Sequence, residues 1–343
     1  TFTKDERRRT ISAPFFTDYV SPLVPAAFKV LGYYFVQLPE SNMRTAEYGL
    51  KYANNEVCYP ATLVVGDLIK ALDSGEFDLD NTAVVVTQTG GQCRATNYVS
   101  QIKNGLESAG FADIPVVVLS TGKVYQNEQS AFKLPLLKVL NITVYSLLYA
   151  DALQQMYGST IMREKSGGDT RRLFDFYIDR GTEAARNNDH TSLLDLLARA
   201  VKDFNAVPSY DMEFTKVGLI GEIYVKYNNY GQAHTTEWLR SKGIDVMTPP
   251  ILDFVMQYFV NSQVNIKNGV RSQGLLTRWL KPVFWKYMND RIKVTEAIMK
   301  NFRHYMPSES IYAKAQYASD ILDLANQFGE GWSLAAEVAH YAR

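Results

Sequence analysis

The sequence predicts an α/β protein with parallel sheets covered on both faces, and three observations lead there. Short runs of β-branched residues recur through the first third, helical patterns separate them, and the alternation resumes after a helix-rich middle. Near-continuous apolar runs suit parallel strands buried on both sides, because crossover helices occupy both faces of such a sheet. In chain order, residues 10–13, 33–38, 83–86 and 115–119 read as strands. Helical patterns lie between them at about 25–31, 61–72 and 95–109, the last followed by Gly110 as a C-terminal stop.

From about residue 131 the strand signal fades, and Leu193, Leu194, Leu196, Leu197 and Val201 recur at helical spacing until Pro208. Residues 216–223 open a second α/β stretch with 245–247 as its next strand, and helical patterns then cover 251–302, 310–327 and 333–341. A chain of 343 residues fits about two domains of ordinary size. The expected organisation is a first α/β domain over 1–130, a helical connector or subdomain over 131–212, and a second α/β domain over 213–343. Both α/β parts are expected to be doubly wound, flavodoxin-like or Rossmann-like sheets. The second reads as incomplete at its C-terminus, since the last helix stops where such a domain would return to a strand. A start at Thr1 rather than methionine fits a piece of a longer polypeptide.

Composition narrows the function classes. Apolar residues make up 46% and charged residues 21%, enough to bury a core that offsets chain entropy. Lysine plus arginine and aspartate plus glutamate number 36 each, so the electrostatic footprint of a nucleic-acid binder is missing. No apolar run approaches the roughly 20 residues that span a bilayer, and the N-terminus lacks a signal-peptide layout. The expectation is a cytoplasmic protein with neither a nucleic-acid nor a membrane partner.

The chemistry-bearing candidates are the two cysteines, Cys58 and Cys93. Both are expected at strand-to-helix turns. Cys58, in Asn55-Glu56-Val57-Cys58-Tyr59-Pro60, precedes a helix with Pro60 in its first turn. Cys93, in Thr87-Gln88-Thr89-Gly90-Gly91-Gln92-Cys93-Arg94, follows the third strand and leads into a helix. Unpaired amides and the positive dipole end at a helix N-terminus favour thiolate over thiol, and would favour the anionic sulfurs of a metal cluster. Loops at the carboxyl ends of parallel strands are also where open α/β sheets bind ligands. Gly90 and Gly91 would allow close backbone approach to a bulky group, and Arg94 would balance negative charge.

Other readings stand beside this one. Cysteine is among the most buried residue types, and no Cys-x-x-Cys spacing is present, so inert core thiols compete with a metal site. A redox thiol pair is a third option, provided the Cα atoms lie within about 7 Å. The glycine turn can also be read as a phosphate cradle, suiting a coenzyme A thioester, yet it matches neither a Walker A loop nor a dinucleotide fingerprint. His190, His234, His304 and His340 lack ligand spacing, and surface or packing roles suit them. Glu222, just past a glycine after an apolar strand, is a candidate polar site residue, balanced by a loop-capping role. The run Asp5-Glu6-Arg7-Arg8-Arg9 reads as a solvated lead-in.

Three segments together resemble one family: Asn54-Asn55-Glu56-Val57-Cys58-Tyr59-Pro60, the stretch Thr87-Gln88-Thr89-Gly90-Gly91-Gln92-Cys93-Arg94-Ala95-Thr96-Asn97-Tyr98, and Val217-Gly218-Leu219-Ile220-Gly221-Glu222-Ile223-Tyr224. They are similar to the 2-hydroxyacyl-CoA dehydratase D-component family, and more closely to the C-terminal region of long acyl-CoA dehydratase activase-related proteins. The resemblance runs across nearly the whole chain. It implies a 4Fe-4S cluster held by three cysteines, with Cys58 and Cys93 matching the first two and the third expected beyond Arg343. It also implies an ATP-dependent activator, a domain or partner protein, that injects a low-potential electron. Water is then removed from a 2-hydroxyacyl-CoA through a ketyl radical. Relatives with double-cubane clusters perform other reductions, so the resemblance leaves the substrate open beyond an acyl-CoA type. Met162-Arg163-Glu164 departs from the Arg-Pro-Tyr-Glu of many relatives, which argues against a ligand role for that loop. A dimer is allowed. The competing expectation is a non-catalytic two-lobed module that binds a CoA ester or docks an activator ATPase.

Overall fold

The computed structural model of the chain describes residues 8–54, 56–88, 93–120, 129, 132, 135–272 and 274–342. It is an α/β protein with a four-stranded and a two-stranded parallel sheet among many helices. Contacts divide the chain into two compact units, Thr1–Leu140 with Tyr224–His234, and Asn141–Ile223 with Thr235–Arg343.

In the first unit the order is β1 (Thr10–Ala13), α1 (Leu23–Ala27), β2 (Tyr34–Gln37), α2 (Met43–Tyr52), α3 (Tyr59–Asp73), β3 (Thr82–Gln88), α4 (Tyr98–Ser108) and β4 (Val116–Ser120). The strands lie in the order β2-β1-β3-β4, all parallel, with Ile11 beside Phe35 and Ala83, and Val85 beside Val117. Side chains alternate across the sheet as strand geometry requires. Val84, Val86, Val116 and Val118 pack with Leu68, Ile69 and Leu72 of α3 and with Ile102 and Leu106 of α4. Ile11, Ala83, Val85 and Val117 face the other way, toward Tyr33 and Phe132. The four expected strands are therefore present; the sheet is buried on both sides along β1, β3 and β4, while the edge strand β2 is only partly buried, with Tyr34 exposed. Gly110 stops α4 with φ of 86°, its N–H bonded to Glu107 O.

Helix α2 has no counterpart in the sequence-based expectation. Its N-cap Asn42 accepts from Thr45 N while the Thr45 hydroxyl accepts from Asn42 N, a capping box. It lies against α3 through polar and glycine contacts. Asp67, fully buried, accepts from Ser41 Oγ at 2.7 Å and Thr45 Oγ1 at 2.8 Å and pairs with Lys70 Nζ at 3.3 Å. Burial pushes the Asp67 carboxyl up, opposed by those hydrogen bonds and by Lys70. Asn228, from the excursion Tyr224–His234, donates to Ser41 Oγ at 3.3 Å, and Tyr224 Oη donates to Phe15 O at 2.9 Å.

The second unit holds α5 (Leu136–Ile161, from Asn141 on), α6 (Asp169–Arg186), α7 (His190–Ala206), β5 (Thr215–Gly218), α8 (Ile223–Tyr227, which passes into the first unit at Tyr224), α9 (Thr235–Ser241) and β6 (Ile244–Met247). Helices α10 (Ile251–Lys267), α11 (Leu275–Met299), α12 (Ile311–Ser319) and α13 (Trp332–Tyr341) complete it. Strands β5 and β6 pair in parallel from Thr215 beside Ile244 to Gly218 beside Met247. The helical pattern expected over 251–302 is interrupted where Gly269 takes a φ of 69°. Most of the helical segment expected over 131–212 belongs to this unit, and two buried polar contacts explain why. Arg163, just after α5, pairs with Asp245 of β6 at 3.0 Å, both side chains 8% exposed. The carboxylate of Asp151 in α5 accepts the Ile251 and Leu252 N–H groups, both at 3.0 Å, and so caps α10.

That cap carries a pH signature. The Asp151 residue is half-buried, yet its carboxyl is enclosed, and burial pushes it up to about 7 against the two backbone hydrogen bonds, with Asp253 raising it further and Lys314 lowering it. An unfolded aspartate titrates near 3.9, so between those values the folded state holds a proton that the unfolded chain has released. The stability contributed by this group is complete below about pH 4 and is lost as pH rises through about 7. Urea midpoints at pH 5 and pH 8 test this. Asp151→Asn, which cannot ionise, is expected to gain stability relative to the parent at the higher pH; an unchanged difference would refute the assignment.

Candidate functional site: two helix-capping cysteines

Cys58 is the N-cap of α3, with φ of −67° and ψ of 150°, and its carbonyl accepts the Ala61 and Thr62 N–H groups at 2.9 and 3.3 Å. Pro60 sits in the first turn, where its missing N–H costs nothing. The expected strand-to-helix setting is corrected for this residue: helix α2 intervenes after β2, so Cys58 lies in a helix-to-helix turn. That turn is shaped by Asn54, whose O and Oδ1 accept the Val57 and Glu56 N–H groups at 3.1 and 2.9 Å.

Cys93 does follow a strand. Gln88, the buried last residue of β3, donates through its side chain to Thr96 O. Cys93 is the N-cap of a 3-10 turn, Arg94–Asn97, that runs into α4, and its Sγ accepts the Ala95 N–H at 3.4 Å. Gly90 and Gly91 lie outside the described residues, as does the side chain of Arg94.

Helix α3 leads to the start of β3, so its amino end lies toward the opposite, carboxyl end of the sheet, where β3 gives way to the Cys93 turn. One contact joins the two cysteine turns directly. Cys58 Sγ lies 3.2 Å from the hydroxyl of Tyr98, the first residue of α4, five positions beyond Cys93. Close packing of the two helices supports this, since a Cβ on Gly105 of α4 would meet Val65 Cγ1 of α3 at 3.0 Å. Cys58 is half-buried and Cys93 exposed, and neither is in a disulfide, so neither is a core residue. Tyr98 is the residue that sequence reasoning missed; it was visible only as part of the long motif after Cys93.

The remaining candidates fall elsewhere. Glu222 immediately precedes α8, whose first N–H, on Ile223, is taken instead by Glu330 at 2.6 Å. His190 stacks on Tyr145, His304 meets the Phe302 ring edge-on, and His340 Nδ1 lies 3.6 Å from Glu309, all packing or surface roles. His234 has a positive φ of 54° in the turn before α9. Glu164 caps α6 by accepting the Gly168 and Thr170 N–H groups, both at 2.9 Å, so the loop at 162–164 has a structural task. A cleft of about 390 Å³ beside α6 and α7 is lined by Phe176, Arg180, Glu183, Asp189 and Arg199, whose charges balance.

Among the described residues no group of three or more His, Cys, Asp or Glu side chains is placed to hold a metal ion. The two thiols could supply at most two ligands of a thiolate-bound cluster and do not complete one. No described helix is long and apolar enough to cross a membrane. Fold and site together define an α/β protein with a pair of helix-capping thiols at the carboxyl end of a parallel sheet. No protein-family model, curated protein or solved structure matches the chain.

Proposed function

We propose that this chain is the iron–sulfur-binding part of a 2-hydroxyacyl-CoA dehydratase-like, activase-related protein, working in the cytoplasm with an ATP-dependent activator and an acyl-CoA-type substrate. The observation that carries the reading is the placement of both thiols at helix amino ends at one end of the sheet, tied together by Tyr98. The strand order 2-1-3-4 adds support, because it reverses between β1 and β3, and ligands of doubly wound sheets bind outside the carboxyl ends at such a switch point. The Cys93 turn leaves β3 there. The same reading makes both units flavodoxin-like or Rossmann-like sheets.

Cys58 and Cys93 would hold two irons of a 4Fe-4S cluster, with Gly90, Gly91 and Arg94 around it and further ligation from outside the described side chains. Such a group supplies one-electron chemistry at low potential. The chain's own contribution is to present the sulfurs on rigid helix ends and to surround them with hydrogen-bond donors: the Ala95 N–H at Cys93 and the Tyr98 hydroxyl at Cys58. Glu222 remains the candidate for a polar role toward substrate.

Anaerobic reconstitution with ferrous iron and sulfide is the test. A full-length polypeptide that carries the third cysteine is expected to take up iron and acid-labile sulfide, this chain alone holding the cluster poorly or not at all. In that polypeptide Cys58→Ser and Cys93→Ser are each expected to weaken retention by about tenfold or more, the scale on which even outer partners of metal ligands act. Undiminished iron in both variants would remove these residues from the ligand set. The shortfall of metal-capable side chains among the described residues favours a second reading, a module that binds a CoA ester or docks an ATPase without a cluster. It predicts no specific iron uptake by the full-length polypeptide either.

A further inference from the structure

We infer that the turn between α10 and α11, together with the first half of α11, docks the second unit onto an anionic lipid surface. Residues 254–289 contain no aspartate or glutamate yet hold Lys267, Arg271, Arg278, Lys281 and Lys286, in a chain whose cationic and acidic residues are equal in number. Packing orients the helix. Phe284 and Trp285 lie against the Phe259 ring of α10, with ring centres 5.6 and 4.8 Å away, Met288 is buried, and Lys281 Nζ donates to Phe259 O at 3.1 Å. At 3.6 residues per turn, that inner face leaves Trp279, Leu280 and Val283 on the outer one, where Trp279 is 75% and Val283 64% exposed. Val270 in the preceding turn is exposed as well, and so are the cationic residues Lys267, Arg271 and Arg278. Lys286, also outward, pairs with Asp290 at 2.7 Å, just past the acid-free stretch.

A contiguous exposed apolar patch marks an interaction surface, and its chemistry selects the occupant. Tryptophan and aliphatic side chains flanked by cations suit the boundary of headgroups and acyl chains, where the indole sits at headgroup level and Lys and Arg reach lipid phosphates. A second copy would set this cationic face against itself. The exposed side of a single helix is a ridge, whereas partner helices are held in grooves. The expectation of no membrane partner concerned spanning segments and signal peptides; lying on a surface needs neither.

The experiment is sedimentation of the chain with vesicles of phosphatidylcholine alone and of phosphatidylcholine mixed with phosphatidylserine. Binding to the anionic vesicles, weakened by added salt, is expected, with little binding to the neutral ones. Arg271→Gln with Arg278→Gln should weaken it about fivefold for each charge removed. Trp279→Gln with Val283→Gln leaves the charge unchanged and should weaken it about tenfold or more through lost apolar burial. Leu50→Gln, at an exposed leucine of α2, is the control and should leave binding unmoved. Dichroism and urea midpoints equal to the parent's establish that the variants fold; should the tryptophan variant not fold, the arginine pair and the two vesicle compositions still decide. Equal binding to both vesicle types, binding to neither, or anionic binding untouched by both double variants overturns the inference. A concentration-dependent dimer that Trp279→Gln with Val283→Gln abolishes, without vesicle binding, overturns it in favour of an interface between copies.

Discussion

Gly66→Ala is expected to cost the first unit about 3 kcal/mol or more, the upper range for overpacking a closed contact. A Cβ at Gly66 would stand 2.0 Å from Thr45 O and 2.8 Å from Gly49 N, and one at Gly49 would stand 2.1 Å from Thr62 O. These neighbours are backbone atoms of an apposed helix, so no rotamer change relieves the overlap; α2 must move away from α3. Moving it also strips Asp67 of its Thr45 and Ser41 donors, exposing the cost of an unpaired buried carboxyl. The measurement separates the units, because Trp238, Trp279, Trp285 and Trp332 all lie in the second. Far-ultraviolet dichroism should show an early urea transition that tryptophan fluorescence does not follow. Gly167→Ala, with no atom within 4 Å of its Cβ, is the control and should shift the midpoint little.

Arg163→Ala is expected to cost the second unit about 3–5 kcal/mol, the usual penalty for leaving one member of a buried ion pair alone. Asp245 would be left at 8% side-chain exposure with no guanidinium 3.0 Å away. Arg163 also donates to Ser159 O at 2.6 Å and lies 5.2 Å from the centre of the Phe214 ring, so its loss loosens the end of α5 as well. Tryptophan fluorescence should report the lowered urea midpoint. The double change Arg163→Met with Asp245→Leu is expected to recover most of it, since removing both charges removes the uncompensated burial. A double variant no more stable than Arg163→Ala would show that the pair matters through shape rather than charge.

The parallel strands were legible because β-branched runs such as Val84-Val85-Val86 and Val116-Val117-Val118 have few alternatives to a two-sided sheet. Helix α2 was missed although it is amphipathic and opens with the Asn42 and Thr45 capping box; only Thr45 and Gly49 of its ten residues are buried, so it lacks the run of buried apolar residues that marks α3. That omission misplaced Cys58 in a strand-to-helix turn. The helix-start positions of the two cysteines were legible, while the Tyr98 contact depends on α3 and α4 packing side by side, which no spacing encodes. Asp151 and Arg163 were silent for the same reason: their partners, Ile251, Leu252 and Asp245, lie about a hundred residues or less downstream on other elements, and only tertiary packing brings them within reach.

The excursion Tyr224–His234 has a temporal meaning. Every strand of the first sheet has been synthesised by Ser120, yet Asn228 and Tyr224, which bond to Ser41 and Phe15, leave the ribosome only after all of α5, α6 and α7. Domains commonly fold in the order in which they are made. Here the earlier unit can complete its Ser41 and Phe15 contacts only when eleven residues arrive midway through the later one.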